Sequence, residues 1–228
     1  MLGILKERKI IKSQEQMVDA TVFPANISYP TDTGLIEAVR VWVVEIIKRV
    51  RMAGRVKGKI RTYCRKARAV YLRFQKKRKK TKREIRKARK QLLQFTARKI
   101  RQLKRLLRKS AGIPADTLKK IRIRLKVAEQ IYRQQLALLQ GDLRRIADRI
   151  VSFHRPQIRP MVRGKNGKEV EFGPKASVSA VDGYLFLDKF STDAYHEGVV
   201  LNESIILHEE RFGKKPEVII TDKIYGKP

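Results

Sequence analysis

The sequence predicts an α+β fold in which a short strand comes first, a long basic helical region follows, and further strands come last. Residues 16–23 are rich in β-branched and apolar side chains and stop at Pro24, as a buried strand does. Between residues 33 and 155, apolar side chains recur at the three- and four-residue spacing of helix faces. From residue 160 the pattern becomes strand-like, and Asp182-Gly183 marks a hairpin turn.

The first helical stripe is apolar at Leu35, Val39, Val43, Ile46, Ile47 and Val50. Asp32 or Thr33 is expected to cap its N-terminus. A second periodic segment covers residues 63–74, where Tyr63, Tyr71 and Phe74 are expected to pack in the core. A third covers residues 85–106 and carries the stem of Lys99 on its apolar stripe.

Gly112-Ile113-Pro114 interrupts this pattern, and a further helical stripe extends from Leu118 to Ile150. Asp116 or Thr117 is expected to cap this last helix. The middle of the chain is therefore predicted to be a long helical hairpin.

The C-terminal part predicts strands and one helix. Asn166-Gly167 and Asp182-Gly183 each indicate a hairpin, so that three antiparallel strands are expected in a meander. A helix is expected from about Gly198 to Phe212, with Gly213 ending it. The apolar run 217–221 is typical of a strand buried on both faces, and Asp222 follows it.

Charge indicates a nucleic-acid partner. The 228 residues include 55 Lys and Arg against 22 Asp and Glu, a formal net charge of +33. Such a chain is expected to bind DNA or RNA, tightly at low salt and weakly at high salt. The hydrophobic content of 42% is enough for a folded core, which excludes a purely disordered basic tail.

The expected compartment is the cytoplasm. Cys64 is the only cysteine, which excludes an intramolecular disulfide framework and fits a reducing environment. Charges interrupt the first eight residues before a signal-peptide core can form. The longest apolar run, residues 41–47, is far shorter than the ~20 residues of a membrane span, so no membrane partner is expected.

The densest positive charge lies in one tract. From Arg55 to Lys109 there are 26 Lys or Arg and one acid, Glu84. Ordinary helix surfaces mix charges of both signs to form i,i+4 pairs, so this tract indicates a phosphate-binding surface more than a solvated face. The candidate DNA-binding residues are Lys76, Lys77, Arg78, Lys79, Lys80, Lys82, Arg83, Arg86 and Lys87.

Two carboxylates stand out because each lies on or just after a predicted strand. If the strands of Asp19 and Asp222 were parallel neighbours, both side chains would lie at one edge of the sheet and could share a divalent ion. Mg²⁺ is the expected ion because it prefers hard oxygen ligands. The plainer interpretation stays open, since aspartates are common in turns at strand ends.

Several segments together resemble the DDE transposases of bacterial insertion sequences. They are residues 18–22 with 29–32, then 159–165, 171–175, 182–183, 193–198, 211–213 and 222–225. The resemblance covers residues 17–225 and implies a ribonuclease-H-like mixed sheet with a long basic helical insertion after its first strand. It also implies DNA transposition, with Asp19 and Asp222 as catalytic ligands of Mg²⁺ or Mn²⁺. Transposon ends and target DNA would be the partners, with a homo-oligomer as a further possibility.

The resemblance divides the chain into residues 1–32 (first core strand), 33–155 (helical insertion) and 156–228 (remaining core). The family's third ligand, a glutamate downstream of the second aspartate, has no counterpart, and neither does its N-terminal DNA-binding region. Glu197, Glu203, Glu209 and Glu210 all precede Asp222. The expectation is therefore a transposase truncated at both ends and inactive alone.

The alternative is a non-catalytic nucleic-acid-binding protein built on the basic helical hairpin. Carboxylates that converge in space favour the enzyme, whereas carboxylates far apart or paired with Lys or Arg favour the alternative. A basic helix lying on an anionic membrane suits the charge but not the strand-rich part. His154, His196 and His208 show no metal-ligand spacing, so packing or surface roles are expected for them.

Overall fold

The computed structural model describes residues 11–53, 61–109, 113–141, 146–162 and 170–226. The chain divides into two compact units, a sheet unit of Met1–Ile27 with Gln157–Pro228 and a helical unit of Ser28–Pro156. The described strands are β1 Glu15–Val22, β2 Pro160–Val162, β3 Val170–Phe172, β4 Lys175–Val181, β5 Tyr184–Ser191 and β6 Val218–Thr221. The described helices are α1 Asp32–Ala53, α2 Cys64–Gln75, α3 Lys82–Lys109, α4 Ala115–Gln140 and α5 Glu197–Phe212, and a 3₁₀ turn covers Lys223–Gly226.

The predicted α+β class is confirmed, and the main sheet is mixed. Its order is β5-β4-β1-β6. β1 is antiparallel to β4 and parallel to β6, and β4 is antiparallel to β5. The β4–β5 turn is the one predicted from sequence, because Asp182 (φ 48°) and Gly183 (φ 81°) both adopt the left-handed conformation that a tight hairpin needs.

The predicted three-stranded meander is wrong in one respect. β2 and β3 pair with each other in a separate two-stranded sheet, and β4 pairs with β1 instead. The predicted Asn166-Gly167 turn lies outside the described residues. β4 therefore pairs with β1, which is distant in the sequence, where pairing with its sequence neighbour β3 was predicted.

One face of the main sheet is covered by α5, and the other carries exposed side chains among the described residues. Along β1 the side chains alternate, with Gln16, Val18, Ala20 and Val22 buried and the residues between them more exposed. The Gln16 amide donates to the Ser204 carbonyl oxygen of α5 at 3.1 Å, so α5 lies on the buried face. Apolar side chains stand exposed on the opposite face: Met17, Leu185, Leu187, Phe190, Val218 and Ile220.

Two burial predictions are therefore wrong. β1 is not buried throughout, because alternate residues, Asp19 among them, lie on its exposed side. β6 is not buried on both faces, because it forms the edge of the sheet and its residues 218–220 remain 37–47% exposed. Composition could not predict this position, because an apolar run can form either an edge strand or a central strand.

The ends of α5 follow local chemistry. His196 Nδ1 accepts a hydrogen bond from the Gly198 amide at 3.2 Å at the N-terminus. At the C-terminus Gly213 (φ 78°) donates its amide to the Glu209 carbonyl at 2.7 Å, as predicted. His208 is fully buried, with Nδ1 3.0 Å from the Lys214 carbonyl oxygen.

The helical unit is a bundle rather than an isolated hairpin. The predicted α1 stripe is buried throughout and packs against both α3 and α4. The α3 and α4 members of this core are Ile100, Leu103, Leu106, Ile121, Leu125, Ala128 and Ile131. α2 rests on α3, and Ala67 is its buried residue.

The predicted helix caps are wrong. Thr31 Oγ1, not Asp32 or Thr33, accepts from the Gly34 amide at the start of α1. α4 begins at Ala115 after Pro114 without a side-chain cap, so Asp116 and Thr117 lie inside the helix. Asp32 is engaged elsewhere, by ion pairs with Arg89 and Arg149.

Candidate metal and nucleic-acid sites

The parallel pairing of β1 with β6 determines where the two candidate metal ligands lie. Its register ends with Val18 opposite Thr221. Continued by one residue, the same register sets Asp19 opposite Asp222. Neighbouring strands are about 4.8 Å apart, and paired residues of parallel strands project to the same face. Asp19 is thus the next residue of β1 and Asp222 the first residue after β6, so the two carboxylates follow the same paired position on neighbouring strands.

Both carboxylates are exposed and keep oxygen lone pairs available. Asp19 Oδ1 accepts from the Ala20 amide at 2.7 Å, and Asp222 Oδ1 accepts from the Lys223 amide at 2.6 Å. Among the residues that the structure describes, no Lys or Arg pairs with either carboxylate. Two such carboxylates fit Mg²⁺, which keeps several waters and binds proteins through one or two carboxylates.

A third acidic ligand is missing from the described ranges. They contain no group of three His, Cys, Asp or Glu side chains arranged to hold a metal ion. Glu197, at the start of α5, forms an ion pair with Lys175 at 2.8 Å. Burial, together with the charges of Glu197 and Asp19, raises the pKa of Tyr225, so its hydroxyl stays protonated near this edge of the sheet.

The nine candidate DNA-binding residues lie in the α2–α3 turn and the first two turns of α3. Lys80 is half-buried with its amine 5.4 Å from the centre of the Phe74 ring, and the other eight are exposed. Of the nine, Lys77 is the one with a described ion pair, to Glu84. The remaining exposed cations keep their charges available to an anionic partner.

Glu84, the single acid of the basic tract, has a structural role. Thr81 Oγ1 accepts from the Glu84 amide at 3.3 Å, and Glu84 Oε2 accepts from the Thr81 amide at 3.1 Å. This reciprocal pair is a capping box at the start of α3. The hydrogen bonds from Lys77 and Thr81 lower the pKa of Glu84 to about 2.

Lys99 lies on the α3 stripe as predicted, but its whole side chain is buried rather than its stem alone. It is 1% exposed, and its amine donates to the Arg61 carbonyl at 2.8 Å and to Gln102 Oε1 at 2.7 Å. Burial lowers the pKa of Lys99. The Lys99 amine is therefore hydrogen-bonded inside the bundle and is not available to DNA.

The sequence did not reveal a groove between α3 and α4. It has a volume of about 710 Å³. Its basic residues are Arg86, Lys90, Arg98 and Arg101 of α3, and its α4 side includes Tyr132, Leu136 and Leu139. Arg86 alone was among the predicted DNA-binding residues. The four cations recur at helical spacing along α3, but the density of positive charge in the sequence is higher in the turn before α3.

Comparisons with protein-family models, curated proteins and solved structures find no match for this chain. None of the helices within the described ranges has the length and apolar character needed to cross a membrane.

Proposed function

We propose that the chain is a DDE-type transposase protein, built on a ribonuclease-H-like sheet, that binds DNA and holds a divalent ion between Asp19 and Asp222. One observation carries the proposal: β1 and β6 are parallel neighbours whose register, continued by one residue, sets these two carboxylates opposite each other. The sequence resemblance assigns the same two aspartates to metal binding. Strand geometry and resemblance are independent arguments for one pair of residues.

The residues of the sheet unit hold and orient the ion. β1 is paired on both sides, which keeps Asp19 on a rigid support, while exposure leaves both carboxylates accessible to an ion and to DNA. When bound, Mg²⁺ or Mn²⁺ supplies activation of a water or a DNA 3′-hydroxyl and stabilisation of the leaving oxygen. The described residues hold two of the three carboxylates that this chemistry uses, so we propose that they do not transfer strands alone.

The helical unit supplies affinity for DNA. Its exposed cations on α3 and the preceding turn contact phosphates, an interaction that does not depend on sequence and weakens as salt rises. Transposon ends and target DNA are the proposed partners, in the bacterial cytoplasm, with self-association of the chain as a further part of the proposal.

The non-catalytic alternative predicts carboxylates that serve as ordinary salt-bridge partners. The chain offers good examples, because Glu203 pairs with Lys189 and Asp188 with Arg211. Asp19 and Asp222 have no such partner among the described residues, although the chain is rich in cations. This difference favours the metal-binding proposal over the alternative.

Calorimetric titration with Mg²⁺ and with Mn²⁺ tests the proposal. We expect the wild-type chain to bind an ion and Asp19→Asn, Asp222→Asn and the double variant each to lose that binding. Glu210→Gln is the matched control, since it removes one exposed carboxylate from α5. Binding that survives in the double variant, or is lost equally in the control, would contradict the proposal.

A further inference from the structure

The α3 side of the groove carries an unusual line of charge. At a helical rise of 1.5 Å per residue, Arg86, Lys90, Arg98 and Arg101 extend over about 22 Å. The described residues that line the groove include no acidic side chain. Arg86, Lys90 and Arg101 take part in none of the ion pairs between described residues, and the Arg98 guanidinium lies 5.2 Å from the Tyr63 ring centre. This side fits a linear polyanion.

The α4 side has a different chemistry. Tyr132, Leu136 and Leu139 are half-buried and present apolar surface to the groove, and Leu93 of α3 lies buried at 2% exposure among its lining residues. A polyanion that carries only charge, such as polyphosphate, gains nothing from this surface. A nucleic-acid strand offers phosphates to one side and flat base faces to the other, and base–aromatic contact adds affinity without sequence preference.

The general spacing of packed helices favours a single strand over a duplex. Packed helices have axes about 8 to 10 Å apart, so the groove between them admits one extended chain. Duplex DNA is much wider, since its major groove alone measures about 12 Å. A duplex can lie across the rim and contact the cations, but it keeps its bases stacked inside and leaves the apolar side uncovered.

We infer that the groove between α3 and α4 binds a single nucleic-acid strand, with phosphates along Arg86, Lys90, Arg98 and Arg101 and bases against Tyr132 and Leu136. The inference rests on the proposed function in that the chain binds nucleic acid. It adds the form of the nucleic acid and the surface that holds it, which differs from the basic turn before α3.

Fluorescence anisotropy of the full chain tests the inference. One probe is a labelled single-stranded oligonucleotide of about 12 nucleotides, which is within the usual site size, and the other is its duplex. The groove variant combines Arg86→Gln, Lys90→Gln and Arg101→Gln. The matched control combines Lys119→Gln, Arg122→Gln and Lys126→Gln, which removes the same charge from exposed α4 positions outside both the groove and the basic turn. Tyr132→Leu removes the aromatic ring and keeps an apolar side chain, and thermal unfolding verifies that each variant is folded.

We expect the groove variant to weaken single-strand binding about tenfold or more at moderate salt, and the control less than about threefold. Tyr132→Leu is expected to weaken single-strand binding severalfold and duplex binding little. Polyphosphate is expected to compete less well than an unlabelled oligonucleotide of equal charge.

Equal losses in the two triple variants, tighter binding of duplex than of single strand, or equal competition by polyphosphate would overturn the groove assignment while leaving DNA binding intact. If the wild-type chain bound neither probe, the groove assignment and the DNA-binding part of the proposed function would fail together. The calorimetric test of metal binding by Asp19 and Asp222 does not depend on either result.

Discussion

Asp32 joins three parts of the helical unit, and removing its carboxylate should destabilise the bundle. Its oxygens accept hydrogen bonds from Arg89 of α3, from Gln135 of α4 at 3.0 Å and from Arg149 at 2.6 Å. The Arg89 side chain is 15% exposed. Asp32→Ala therefore leaves a largely buried guanidinium without its anion, which is more costly than the loss of a surface pair.

The magnitude follows from the burial of each partner. Breaking a fully buried pair costs about 3–5 kcal/mol, and an exposed pair is worth under about 1 kcal/mol. Asp32 and Arg89 keep 21% and 15% exposure, and Arg149 is 45% exposed. We therefore expect Asp32→Ala to lower the free energy of unfolding by about 2–4 kcal/mol, scaling down the buried-pair value for residual solvent.

Urea unfolding followed by circular dichroism measures this change, and the midpoint should fall by about 1–2 M if m is near 2 kcal/mol/M. Glu45→Ala is the control, because it removes an exposed α1 pair with Arg49 and should cost under about 0.5 kcal/mol. Adding Arg89→Met to Asp32→Ala should restore part of the stability, since the stranded cation is gone. A loss in Asp32→Ala no larger than that in Glu45→Ala would refute the reasoning.

Three further outcomes are expected. Leu103→Ala should cost about 2–5 kcal/mol in urea unfolding because Leu103 is fully buried in the bundle, whereas Leu72→Ala, at 41% exposure, should cost far less. Gly173→Ala should lower the melting temperature sharply, since its Cβ would lie 1.9 Å from the Phe23 carbonyl oxygen, while Gly183→Asn should lower it less, because it meets open space and only the strain of a positive φ. Burial lowers the pKa of His208, so the folded chain resists protonation of this side chain. The free energy of unfolding should therefore be highest above the ordinary histidine pKa of about 6.5 and should fall as the pH drops below it. His208→Gln should flatten that dependence, and the exposed His154→Gln should not; an unchanged profile in His208→Gln would contradict this.

The features that could be predicted from sequence are those governed by local chemistry. The α1 stripe from Leu35 to Val50 follows from helical spacing, and the Asp182-Gly183 turn follows from the positive φ that its two residues tolerate. Gly213 ends α5 for the same reason. Each of these needs information from only a few neighbouring residues.

The features that could not be predicted depend on contacts between distant segments. The N-terminus of α1 could be capped by Thr31, Asp32 or Thr33. Thr31 caps it because the Asp32 carboxylate is paired with Arg89 and Arg149. The edge position of β6 comes from sheet order, which its apolar composition does not encode. The α3/α4 groove depends on which faces of two helices meet, so neither helix reveals it alone.

The placement of Asp19 and Asp222 falls between these cases. The sequence pattern predicts each residue on or just after a strand, but only the parallel pairing of β1 with β6 makes them neighbours in register, which periodicity cannot establish. The structure supplies that relationship through the register that ends at Val18 and Thr221.

The most direct test of the account is the anomalous scattering of crystals grown with Mn²⁺. We expect one strong peak at the sheet edge, bonded to an oxygen of Asp19 and an oxygen of Asp222, and its disappearance in Asp222→Asn crystals. A map with no manganese at this pair, or with the ion held by other residues, would contradict the assignment of these carboxylates as a metal site.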